Sequence, residues 1–78
     1  MSNHFVVAFS DPTQAPVECS TLQAARQIAK VKLAVSRIRL GALRPHGTRG
    51  MAVDVWKDKR AMENPSGKAA DATITFCP

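Results

Sequence analysis

Apolar and polar positions change their spacing several times along this chain, and each change marks an element. His4 to Ser10 (HFVVAFS) is short, rich in Phe and Val, and halts at Asp11-Pro12, the signature of a strand ending in a turn. Pro16 closes that loop, and Val17 to Cys19 resumes an extended path. Ser20 then stands as a helix N-cap with Gln23 at the third helical position, as in a capping box. The spacing predicts a helix over Thr21 to Lys32, with Leu22, Ala25, Ala29 and Leu33 on one stripe and Ile28 at its edge. Gln23, Arg26, Gln27 and Lys30 fall on the outward side. From Val35 the period becomes two: Val35, Arg37 and Arg39 alternate with Ser36, Ile38 and Leu40, a half-buried strand whose Ile38 and Leu40 face the helix. Leu43 to Gly50 (LRPHGTRG), with one Pro and two Gly, reads as a mobile hairpin loop. Met51, Val53 and Val55 alternate with Ala52, Asp54 and Trp56 in a further strand that runs into the charged Lys57 to Arg60. Asn64 to Gly67 is a turn cluster, and Thr73 to Cys77 closes the chain as a strand with Ile74 and Phe76 on one face.

The order strand, helix, strand, strand, strand predicts a single α+β domain over residues 1–78, one helix packed on an antiparallel sheet of about four strands. No internal repeat is present. At 78 residues with three Phe, one Trp and no Tyr, the core must be mostly aliphatic, and a domain this small depends on good packing. Cys19 and Cys77 read as free, buried thiols of a reducing compartment. His4 to Phe9 is too short and lacks the basic lead of a signal peptide, and no apolar run approaches the 18 or so residues that a membrane helix needs.

Charge sharpens the picture. Of the 11 Lys and Arg residues, all but Lys68 lie between Ser20 and Arg60, where only Asp54 and Asp58 oppose them, so that segment carries +8 of a net +5 whose flanks are −3. A middle segment of this kind offers a surface to polyanions or to an acidic protein face. If Ile38, Leu40, Met51, Val53 and Val55 face the helix, Arg37, Arg39 and Trp56 share the open face of the sheet, where an indole beside guanidinium groups makes a binding arrangement; the competing placement puts Trp56 in the core. Arg44, His46 and Arg49 sit in the expected loop. Arg26 and Lys30, four apart, are neighbours on the exposed helix face. Lys57, Lys59 and Arg60 extend the patch.

Catalytic and metal-binding chemistry find little to use. Gly67-Lys68 resembles the end of a phosphate-binding loop, but Met62 replaces its first glycine and Ala69 its Ser/Thr. Cys19, Cys77, His4 and His46 are not spaced as zinc ligands. No cofactor is expected, and an enzyme is the last of the readings.

The strand, the run Val17-Glu18-Cys19-Ser20-Thr21-Leu22-Gln23-Ala24-Ala25-Arg26-Gln27-Ile28-Ala29 and the closing antiparallel sheet resemble the layout of small phage-borne type I anti-CRISPR proteins, from Phe5 to Arg60. The resemblance implies a stoichiometric inhibitor, a monomer or small homo-oligomer in the cytoplasm of an infected or lysogenic bacterium. It would bind the RNA-guided surveillance complex (Cascade) or its guide RNA and block target DNA. No membrane partner is implied. The basic charge argues against DNA mimicry as its means. The residues nominated above rest on surface reasoning and not on the resemblance. The alternative is a small phage or plasmid regulator that contacts nucleic acid directly.

Overall fold

A computed structural model describes residues 4–47, 49–63 and 69–77, so the expected turn cluster at 64–67 and the Gly67-Lys68 pair lie outside the described residues. Five strands, β1 (His4–Phe9), β2 (Val17–Cys19), β3 (Arg39–His46), β4 (Gly50–Trp56) and β5 (Ala72–Cys77), form one sheet in the order β2-β1-β5-β4-β3. Every neighbouring pair is antiparallel. Helix α1 (Leu22–Leu33) packs across β1, β2 and β5, and a five-residue helix α2 (Lys59–Glu63) follows β4. The fold is α+β as expected, with Val17–Cys19 supplying a fifth strand on the outer side of β1.

Strand register sorts side chains between the two faces. Val7, Ile74 and Val53 lie abreast, as do Phe9, Ala72 and Val55 one pleat along, and these apolar rows face α1. Buried Val7, Val53, Val55, Ala72 and Ile74 meet buried Ala25 and Ala29 from the helix, with Phe5, Phe9, Ile28, Leu33 and Val35 around them. Two alanines at the centre of its buried stripe let α1 approach the sheet closely. The helix begins one residue later than the sequence pattern places it. Thr21, not Ser20, is the N-cap, extended at φ −135° and ψ 154°, and its Oγ1 accepts a hydrogen bond from the Ala24 amide at 3.1 Å. Ala34 ends the helix in the left-handed conformation (φ 57°, ψ 44°), and the Val35 amide folds back onto the Lys30 carbonyl at 3.1 Å.

Two expectations for the middle of the chain need correction. The residues from Val35 to Ile38 are not strand, because β3 lies at the edge farthest from β2 and the chain leaving α1 must first cross the sheet, roughly three strand spacings of about 4.8 Å. Ile38 is buried in that crossing. Nor is Leu43 to His46 a loop: β3 continues to His46, which pairs with Gly50, and Pro45 is tolerated because β3 is an edge. A bulge hides the strand from a period-two reading. Leu40 pairs with Val55 and Leu43 with Val53, so Gly41 and Ala42 together oppose Asp54, and Leu40 and Leu43, three apart, share one face. A Cβ on Gly41 would lie 3.1 Å from Trp56 Nε1, so glycine lets the bulge close against the indole.

Trp56 is therefore buried, 7% exposed, although it lies on the face away from α1, opposite Arg39. Truncating it to Ala is expected to cost about 3–5 kcal/mol, read as a fall in melting temperature well beyond about 10 °C. Ala34→Gly is expected to act in the opposite direction, relieving a left-handed alanine and adding about 1 kcal/mol, seen as a higher melting midpoint.

Candidate functional site

The basic residues divide among four places. At one end of the sheet, where the crossing segment enters β3 and β4 leaves for α2, Arg37, Arg39, Lys57 and Lys59 line a cleft of about 470 Å³ with Val35, Ser36 and Asp58. Local geometry builds it. The turn at Ala34 sends the chain across the sheet end and carries Arg37 and Arg39 there. Asp71, just before β5, accepts a bond on Oδ2 from the Lys57 amide at 2.8 Å, while its carbonyl accepts from the Ser10 amide at 3.0 Å, so one residue ties the ends of β1 and β4 together. Asp58 Oδ1 accepts from the Arg60 amide at 3.0 Å and caps α2.

Asp71 and Asp58 are thus each engaged by a backbone amide. Asp11 is the third: its Oδ1 accepts from the Thr13 amide at 2.9 Å and from the Thr13 hydroxyl at 2.8 Å. Those bonds, the amide first, and the nearby charge of Lys57 hold its carboxyl below the usual carboxylate range. The cations differ, because Arg37, Lys57 and Lys59 are exposed and Arg39 is half-buried. Lys59 has only a loose i,i+4 contact with Glu63 at 3.9 Å between two exposed side chains. Four cationic residues thus line one cleft, an arrangement suited to spaced phosphates.

The other nominated residues lie elsewhere. Arg44 sits on the open face and is held by Asp54, Nη2 to Oδ1 at 2.9 Å, so it is not offered to a ligand in the way the cleft residues are. Arg49 lies at the β3–β4 turn, the length of β4 away, roughly 20 Å at about 3.3 Å per residue. Arg26 and Lys30 lie on α1, and Arg60 is exposed on α2 beside the cleft. Trp56 lies on the open face opposite Arg39, yet only 7% of it is exposed because it packs against Gly41, so the exposed indole beside Arg37 and Arg39 is not formed.

A second feature escaped the sequence reading. On the helix side of β3, β4 and β5, beside the first turn of α1, lies a groove of about 240 Å³ whose lining is apolar: Phe5, Leu22, Leu40, Leu43, Met51 and Phe76, over Val53 and Ile74. Leu43 is 64% exposed, Leu22 44% and Leu40 37%. The bulge in β3 creates it by turning Leu43 to the same face as Leu40, a phase shift the alternating pattern does not announce.

Among the described residues no three His, Cys, Asp or Glu come together as metal ligands, and no helix is long and apolar enough to cross a membrane. Cys19 and Cys77 are unbridged. Comparison with family models, curated proteins and solved structures finds no match for the chain.

Asp11 gives a pH-dependent check on the acidic side of this end. Because its folded pKa is lowered, its contribution to stability is present above the unfolded value near 3.9 and is lost as pH falls through the folded one. Asp11→Ala should therefore melt below wild type at neutral pH, and the gap should close in acid.

Proposed function

We propose that this protein is a binding protein whose basic cleft holds the phosphate backbone of a nucleic acid. The observation that carries the reading is that Arg37, Arg39, Lys57 and Lys59 line one cleft whose own carboxylate, Asp58, is engaged by a backbone amide. Guanidinium and ammonium heads are unlike in what they do there. The arginines present forked donors to phosphate oxygens, while the lysines act as mobile point charges. The cleft carries no base-reading element of its own, so the contacts set position on a backbone and not sequence.

The exposed apolar groove supports a second reading, in which the partner is a protein assembly: a stoichiometric inhibitor of a type I RNA-guided surveillance complex, seated by the groove with the basic cleft against its guide RNA. The layout of β1, α1 and a closing antiparallel sheet is consistent with that reading.

A mobility-shift assay with labelled duplex or RNA separates the two. On the first reading the protein shifts nucleic acid unaided, and four phosphate contacts give a slope of log affinity against log salt near −3.6 for duplex. That corresponds to a loss on the order of 100-fold between 50 and 200 mM salt. Arg37→Ala should weaken binding and lower that slope by about one. On the second reading the protein shifts nothing alone, yet stops a preassembled complex from shifting its target. A shift that ignores salt and Arg37→Ala contradicts the cleft as the site.

A further inference from the structure

The sheet is wider than its cover. Five strands at about 4.8 Å span roughly 19 Å between the outermost pair, whereas one helix with its side chains is about 10 Å across. Helix α1 lies over β2, β1 and β5, and the face of β4 and β3 beyond it is the apolar groove. The uncovered width is that of one more helix, over the part of the face not covered by the crossing that buries Ile38. A strand added at the open edge fits worse. The outer side of β3 is broken by the bulge after Leu40 and by Pro45, both of which oppose strand addition.

The rim of the groove selects the charge of its occupant. At about 100° per residue, Ile28 and Val31 lie on the flank of α1 that meets Val17 of β2. Leu22 lines the groove, and Arg26 and Lys30, one and two turns along, occupy the flank next to it. Arg39, Arg44 and His46 of β3 point to the opposite face of the sheet, so the cations beside the groove are those of α1, with Arg49 in the turn at the far end of β3. The floor, made of Leu22, Leu40, Leu43, Met51 and the Phe5 and Phe76 rings, tilted at 46° with centroids 5.1 Å apart, contains no charge.

We propose that this groove receives an amphipathic helix of a partner protein, apolar along one stripe and acidic on the flank that faces α1. It would lie beside α1 as a second helix on the sheet. The stripe fills the space between Leu22 and Leu43, and carboxylates on the flank beside α1 meet Arg26 and Lys30. A second copy of this chain is disfavoured as the occupant, since a twofold contact between two grooves would bring the same cations together on proteins already at +5.

The probe is a labelled helical peptide with Leu at i, i+3, i+4 and i+7 and Glu on its flanks, compared by fluorescence anisotropy with a version carrying Lys at the Glu positions. The Glu peptide is expected to bind saturably and the Lys peptide at least about tenfold more weakly. Leu43→Asp, at an exposed position, should weaken the Glu peptide at least about tenfold while melting as wild type and leaving the salt-dependent nucleic-acid shift intact. Arg26→Glu with Lys30→Glu should erase the preference between the two peptides. Absence of saturable Glu-peptide binding, or equal binding of both peptides, overturns the proposal. So does a dimer in light scattering that Leu43→Asp dissolves, which would make the occupant a second copy. A failure of cleft binding alone leaves the peptide result standing, so the two surfaces are tested separately.

Discussion

The last strand of the chain occupies the middle of the sheet, and everything else is arranged around it. β5 lies between β1 and β4, so it joins a two-strand unit formed early in the chain to a hairpin formed in its second half. Neither unit alone has enough strands for independent stability. Ile74, flanked by Val7 and Val53, places the apolar row that receives Ala25 and Ala29. Asp71, at the head of β5, bonds the Ser10 and Lys57 ends of its two neighbours. The same bond that closes the sheet therefore fixes where Lys57 stands relative to Arg39. The basic cleft is a by-product of sheet closure as much as of local sequence.

Two devices of the middle segment then give the molecule two different surfaces. The left-handed turn at Ala34 and the crossing to the far edge deliver Arg37 and Arg39 to the end of the sheet. The bulge after Leu40 rotates the remainder of β3. It brings Leu43 over to the helix side and leaves Arg44 on the open side within reach of Asp54. Without the extra residue, strict alternation would place Leu40 and Arg44 on one face and Arg39 and Leu43 on the other. One inserted residue thus separates an apolar groove from a polar face.

Legibility of the sequence follows the same division. β1, α1, β4 and β5 are visible because each keeps one period from end to end: apolar alternation from Met51 to Trp56, and a helical stripe from Leu22 to Leu33. β3 is obscured because its phase changes within it and because Gly41, Pro45 and the nearby Gly47 carry the composition of a loop. The cluster of positive charge was legible as a total, but its division was not. Trp56 read as a neighbour of Arg37 and Arg39 on an open face and Arg44 as a loop residue, whereas Arg44 is held on β3 by Asp54 and Trp56 lies opposite Arg39 but buried against Gly41. The groove had no sequence signal, since it depends on how far α1 reaches across the sheet.

Position, not net charge, is what the account holds responsible for binding, and a chain at +5 will attract polyanions by charge alone. The most direct measurement is a titration of isotopically labelled protein with a short oligonucleotide, followed through the backbone amide resonances by NMR. The account predicts that the largest shifts fall on Ser36, Arg37, Arg39, Lys57 and Lys59 at one end of the sheet. Comparable shifts at Arg26, Lys30 and Arg49, spread with the charge over the whole surface, would contradict it.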